Sequence, residues 1–261
     1  MRYLALMIAS LVGFCLAAPP KGEVLEPFTP KADLQGSWDA KIDPKLPTVL
    51  IIGDSISISY TRAVRRKFEG KANVLRPMRS DGKGADNCGD TIIGLANIDR
   101  WLGNQKWDVI HFNWGLWDLC YRHPESKSQG HRDKVKGHQS VPPMDYEQNL
   151  EKLISRLQQT GAKLIWASTT VVPEGEPGRF VGDDQKYNEI AARVMKRHQI
   201  PINDLHSLST TFTPDMFAGP GDVHFSRRGV SKLADQVAEK IATALPVPLP
   251  QTPQLKAAPQ P

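Results

Sequence analysis

The segment Gly53-Asp54-Ser55-Ile56-Ser57 closes an unbroken apolar run, Val49-Leu50-Ile51-Ile52, and leads straight into a helical pattern. A serine there stands at the carboxyl end of a strand and the amino end of a helix, where backbone N–H groups are free and the dipole favours developing negative charge. A nucleophile with its own oxyanion donor belongs in such a place. Taken alone, Ser55 serves equally well as a helix cap. The second signal lies near the other end of the chain, in Gly221-Asp222-Val223-His224-Phe225-Ser226, just before another helical pattern. A histidine beside a carboxylate in such a loop can act as general base, with the carboxylate fixing its tautomer and stabilising the imidazolium. The chain order nucleophile, acid, base fits one known arrangement of a Ser-His-Asp triad. Without Ser55, His224 reads as a surface histidine near a turn aspartate; the two together point to acyl transfer through a serine.

The elements that must position these groups are legible as an alternation. Apolar runs occur at Val49–Ile52, Asn73–Leu75, Asp108–Phe112, Lys163–Ala167 and, shorter, Pro201–Leu205, and unbroken runs of this kind suit strands covered on both faces. Between them lie amphipathic helices. Asp90 caps one that Gly103 closes; Tyr146, Leu150, Leu153, Ile154 and Leu157 form one face of the next, which Gly161 stops. Asp183 begins a third with Tyr187, Ile190, Ala191 and Val194 inward, and Ser226 opens the last, carrying Val230, Leu233, Ala234, Val237 and Ile241. Strand-helix alternation implies a three-layer α/β/α sandwich around a flavodoxin-like, five-stranded parallel sheet, with chemistry outside the carboxyl ends of the strands.

Over this body, Val49 to Ile241, the sequence resembles the SGNH, or GDSL-type, hydrolase family. Gly53-Asp54-Ser55 with Ser57 matches the first block, which implies Ser55 as nucleophile and its amide as an oxyanion donor. Asn87-Cys88-Gly89-Asp90-Thr91 looks like the second, with the Gly89 amide as a further donor; Gly115-Leu116-Trp117-Asp118 stands at the third, and the His224 loop is the fourth. Two departures stand out. Trp117, with only an indole N–H to offer, occupies the place of the third block's asparagine. Asn113 is a substitute only if the chain turns sharply, since four extended residues span roughly 13 Å; otherwise it satisfies backbone at a strand end. The family spaces its acid three residues before the histidine, where this chain has Gly221, so Asp222 must reach by a loop adjustment or His224 must use a backbone carbonyl. Loss of one oxyanion donor costs a serine hydrolase about 2.7–4 kcal/mol.

Composition narrows the rest. The 261 residues are 40% hydrophobic and 23% charged, enough for one sizeable core and unlike disordered or collagen-like chains. Lys+Arg 33 against Asp+Glu 28 gives only +5, which a solvated surface explains without a nucleic-acid partner. Met1-Arg2, an apolar stretch to Ala18 and a break into Pro19-Pro20 read as a secretory signal peptide over residues 1–18, and Phe14 before Cys15 argues against a lipid anchor. No stretch of the body approaches the roughly 20 apolar residues that cross a bilayer. Residues 19–47 read as an extended arm, 48–245 as the hydrolase domain, and 246–261 as a proline-rich tail. Removal of the signal leaves Cys88 and Cys120, an even pair that either forms a disulfide in an oxidising compartment or stays as two buried thiols.

Among the remaining residues, Trp107 and Trp114 read as core, whereas Trp117 suits core or substrate wall. His111 falls inside a strand, His198 near a helix end, and His206 with Asp204 is the rival base. The polar, basic segment Tyr121–Pro143 is long enough to be a lid or an anionic-polymer contact, or a solvated insertion. No metal-ligand spacing, phosphate loop or nicotinamide fingerprint is present, and no cofactor is implied. The expectation is an exported serine esterase removing a short acyl group, acetyl by resemblance, from a small-molecule or carbohydrate ester. The rivals are a non-catalytic carbohydrate-binding protein on the same fold, and a lipase or phospholipid hydrolase; oligomeric state is not legible.

Overall fold

The computed structural model describes residues 38, 42–126 and 131–246. The expected signal peptide, Cys15 and all but the first residue of the proline-rich tail lie outside them. Five strands, β1 (Thr48–Ile52), β2 (Asn73–Leu75), β3 (Val109–Phe112), β6 (Lys163–Ala167) and β7 (Ile202–Asn203), make one parallel sheet in the order β2-β1-β3-β6-β7. A second, two-stranded antiparallel pair, β4 (Tyr121–Arg122) with β5 (His138–Gln139), lies within the long insertion. Among the described residues six α-helices accompany them: α1 (Ser55–Lys67), α2 (Thr91–Leu102), α3 (Pro143–Gln158), α4 (Asp183–Arg197), α5 (Leu205–Thr210) and α6 (Arg227–Ala244). Helix α1 packs on α6, and α2, α3 and α4 pack in succession, giving a three-layer α/β/α sandwich.

Helix ends follow from local chemistry. Asp54 Oδ1 accepts the Ile56 N–H at 3.0 Å to start α1, and Arg65, Arg66 and Lys67 in its last turn complement the dipole. Asp90 Oδ1 caps α2 through Ile93 N–H at 2.9 Å. Pro143 begins α3, where its missing N–H costs nothing. The core fills both faces of the sheet: every residue of β1 and of β3 is buried. His111 of β3 is one of them. Its Nε2 accepts from Asn203 Nδ2 at 3.0 Å, and burial pushes its pKa down to about 3, so it is a neutral core residue. His198, at the end of α4, meets Glu151 of α3.

The arm does not run free where it is described. Asn73 binds the backbone of Asp43 and Leu46, and buried Trp38 lies under the Arg62 guanidinium at 4.2 Å. The sheet order places the turn in strand progression between β1 and β3, and the crevice beyond their carboxyl ends is where such sheets bind ligands.

Candidate active site

Ser55 is the first residue of α1, directly beyond β1. Its Oγ lies 2.9 Å from His224 Nε2, and His224 Nδ1 lies 2.6 Å from Asp222 Oδ1. Three residues separated by up to 169 positions thus form a continuous relay. The short acid–base spacing works because of Gly221. It turns the chain at φ +69°, and a Cβ there would stand 2.7 Å from the carbonyl oxygen of Gly175, so only glycine fits. The same Asp222 Oδ1 also accepts the backbone N–H of His224 at 2.9 Å. The hydrogen bond from the His224 ring chiefly holds the Asp222 carboxyl below the usual carboxylate range, with the His224 backbone N–H and the charges of His224 and Arg132 adding to it. His224 and Asp222 side chains are 34% and 45% exposed, so the dyad is open to solvent.

The nucleophile turn and the second block are bolted together by a residue that the sequence did not advertise. Arg76, buried just after β2, donates from Nη2 to Gly53 O (3.1 Å) and Asp86 O (2.8 Å), and from Nη1 to Ser57 Oγ (3.2 Å) and Thr61 Oγ1 (3.1 Å). Cys88 N–H adds a bond to Gly53 O at 3.3 Å. A lone arginine in a short loop carries no periodic signal, although its partners Gly53 and Asp86 stand in the first motif block and just before the second. Asp54 is buried, and burial raises its carboxyl above the ordinary value.

The expected oxyanion donors fare differently. Gly89 takes φ +57° and its N–H donates to Asn87 Oδ1 at 3.1 Å, an Asx turn that the sequence reading did not foresee. Asn113 is hydrogen-bonded within the sheet, and its Nδ2 also lies 3.3 Å from Thr169 Oγ1. Its Nδ2 donates to Ala167 O at 2.7 Å, joining the ends of β3 and β6, because an amide leaving a strand end meets a neighbouring strand's carbonyl before it meets the crevice. Trp117 is half-buried, with the Arg122 guanidinium 5.2 Å from its ring centre. Trp107 and Trp114 are core, with indole N–H groups given to Leu102 O and Cys88 O. Asp118, next to Trp117, is fully buried and accepts from the N–H and Oγ1 of Thr91, tying the third block to the start of α2; burial pushes its pKa up to about 8.

Cys88 and Cys120 are both buried free thiols rather than a disulfide, each turned toward a backbone carbonyl. Burial pushes the Cys88 thiol up to about 12. The rival base His206 is engaged elsewhere: its Nε2 meets buried Asp184 at 2.7 Å, while Asp204 caps α5. Residues 121–126 and 131–143 of the basic insertion form a hairpin clamped to the loop after β6. Buried Glu176 accepts from Arg132 (3.1 Å) and Arg179 (2.7 Å), and Lys134 donates to Glu176 O at 2.6 Å. Arg179 in turn donates to Leu116 O at 2.6 Å, carrying the clamp to the third block. Among the described residues no cluster of three or more His, Cys, Asp or Glu side chains could hold a metal ion, and no helix is long and apolar enough to cross a membrane.

The profile of the GDSL-like lipase/acylhydrolase family matches residues 51–232, most of the chain. The protein belongs to that family, whose members are serine ester hydrolases. In structure it is similar to the lipase/acylhydrolase from Enterococcus faecalis, at TM-score 0.60 and 18% identity, over 77% of this chain and 98% of that one. It is similar also to the acetyl xylan esterase AlAXEase, at TM-score 0.58 and 13% identity, over 74% and 99% of the two chains. TesA matches at TM-score 0.55 and 16% identity, over 76% and 99%. Among curated proteins, none matches the chain in sequence.

Proposed function

We propose that this protein is an exported esterase that removes a short acyl group, acetyl, from a carbohydrate ester through a Ser55 acyl-enzyme. The observation that carries the reading is the relay Ser55 Oγ–His224 Nε2–Asp222 at 2.9 and 2.6 Å. In that arrangement Ser55 Oγ attacks the ester carbonyl while His224 Nε2 takes its proton, and Asp222 holds the imidazole by Nδ1 and offsets its charge. His224 then returns the proton to the departing alcohol, and a water deprotonated by the same nitrogen releases the acid and restores Ser55. The oxyanion would be held by the Ser55 amide at the start of α1, by the Gly89 amide once it is shared with Asn87, and by the Trp117 indole N–H. Likeness in fold to an acetyl xylan esterase supports the acyl group and the carbohydrate, and the amino-terminal apolar segment supports export.

A second reading has its own observation. With Trp117 in the third block, and the amides of Asn113 and Gly89 already engaged, the oxyanion site has fewer ready donors than the family pattern; a carbohydrate-binding protein on the same fold would tolerate this. Hydrolysis of p-nitrophenyl acetate and butyrate by the chain from Pro19 onward, beside Ser55→Ala, separates the two. The esterase reading expects turnover that favours acetate and vanishes in the variant. Sugar binding without Ser55-dependent turnover would replace it with the second reading, and a strong preference for butyrate with activation at interfaces would make it a lipase.

A further inference from the structure

Three guanidinium groups gather on one indole beside the edge strand β2. Trp38, a buried residue of the arm, has Arg62 Cζ 4.2 Å from its ring centre, and Arg65 and Arg76 Cζ each at 5.9 Å. Arg62 and Arg65 belong to α1, the helix that Ser55 opens, and Arg76 follows β2. Arg65 also donates from Nη1 to Trp38 O at 3.3 Å and from Nε to Val74 O at 2.9 Å, which ties the arm, α1 and β2 together. Trp38 and Arg76 line one cleft of about 370 Å³ with Arg65, Leu75, Trp101 and Trp107.

Arg76 is the member of the trio that reaches the site. Its four hydrogen bonds all go to uncharged oxygens, those of Gly53, Asp86, Ser57 and Thr61, and none meets a carboxylate. The charges of Asp54 and Asp86 act on it at longer range: Asp54 Oδ1 caps α1, and Asp86 Oδ2 is held by Arg100 and by Trp101 Nε1. A guanidinium so placed gains from an aromatic face, and the gain grows as water is excluded. Without the indole, three cations would face one another across a cleft open to water, and Arg76 would be drawn away from Gly53 O and Ser57 Oγ. Gly53 O also receives the Cys88 N–H, so that movement would shift the Ser55 turn against the second block. We infer that Trp38 is a positioning residue for the Ser55 chemistry: its indole holds Arg76, and Arg76 holds the turn that carries the nucleophile. The arm before β1 is then part of the active unit. The inference rests on the esterase reading above.

The test measures kcat/KM on p-nitrophenyl acetate, and the rate at which a fluorophosphonate labels Ser55, in the wild type, Trp38→Phe, Trp38→Leu and Trp38→Ala. Urea titrations establish that each variant is fully folded under the assay conditions. Phenylalanine keeps an aromatic face and leucine keeps only an apolar side chain, so a merely structural role would leave these two alike. Both rates should fall about tenfold or more in Trp38→Leu and Trp38→Ala and stay within about threefold of the wild type in Trp38→Phe, with KM nearly unchanged. Equal rates in Trp38→Phe and Trp38→Leu overturn the inference, as does a Trp38→Ala variant as fast as the wild type. Should Trp38→Ala fail to fold, the Phe and Leu pair decides alone. If the wild type shows no Ser55-dependent reaction with either reagent, the esterase reading has failed, and amide hydrogen exchange tests the clasp directly. Exchange over residues 53–61 should be faster in Trp38→Leu than in Trp38→Phe, with Lys163–Ala167 alike in the two. Exchange that quickens in both segments, or in neither, refutes the positioning role.

Discussion

Replacing Asp222 by asparagine should cost this protein far less than the same change costs a serine hydrolase whose amide flips the histidine to the wrong tautomer. The reason is that one oxygen, Oδ1, receives both the His224 ring at 2.6 Å and the His224 backbone N–H at 2.9 Å. The backbone group can only donate, so in Asp222→Asn it should hold the oxygen of the new amide in place, and Nδ1 would keep an acceptor. What is lost is the charge. A hydrogen bond to a charged group is worth about 1.5–3 kcal/mol and a neutral one about 0.5–1.5, a difference of about 1–1.5 kcal/mol. That is about tenfold in rate, and the exposure of the dyad, 45% for Asp222, keeps it toward the low end. Asp222→Ala removes the acceptor as well and should cost about a further tenfold. The assay is kcat/KM on p-nitrophenyl acetate for both variants across pH. A loss near 10⁴ for Asp222→Asn, the size expected for an inverted tautomer, would refute the reasoning. So would an unchanged rate in both variants.

Other perturbations test the frame around the relay. Arg76→Met strands the oxygens of Gly53, Asp86, Ser57 and Thr61; leaving a buried acceptor without its donor costs about 1–3 kcal/mol, so urea midpoints should fall, with Arg76→Lys intermediate. Asp118 binds its proton in the folded state up to about pH 8, whereas the unfolded carboxyl releases it near its ordinary value. Stability should therefore fall between those pH values by about 1.4 kcal/mol per unit, and Asp118→Asn should abolish that slope and be the more stable form above pH 8. In the chain from Pro19 onward, a thiol reagent should react with neither cysteine in the native state and with two after unfolding without reductant; two thiols missing after unfolding would mean a disulfide.

Much of the architecture was legible because it rests on periodicity. The runs ending at Ile52, Phe112 and Ala167 are the three central strands and the one ending at Leu75 an edge strand, and Asp90, Gly103, Asp183 and Ser226 mark helix ends. The last strand is shorter than its apolar run: after Ile202–Asn203 the chain turns at Asp204 into α5, six residues too short to show a helical period. The pair β4–β5 escaped for the same reason, two residues a strand and polar in composition. At the site, motif spacing pointed to Ser55, His224, Asp222 and Gly89. It could not show that the Asn113 amide meets Ala167 and Thr169, nor that Arg76 and Glu176 knit the surrounding loops, because those contacts join residues between 10 and 56 positions apart with no local pattern. Gly221 is the instructive case, since the residue that breaks the family's spacing is what lets Asp222 reach.

The most direct test of the account is trapping of the nucleophile. The chain is treated with a fluorophosphonate ester, and the modified peptide is located by mass spectrometry in the wild type, Ser55→Ala and His224→Ala. One adduct is expected, on Ser55, formed quickly in the wild type, absent in Ser55→Ala and slowed by orders of magnitude in His224→Ala. An adduct on another residue, or ester hydrolysis that survives in Ser55→Ala, would contradict it.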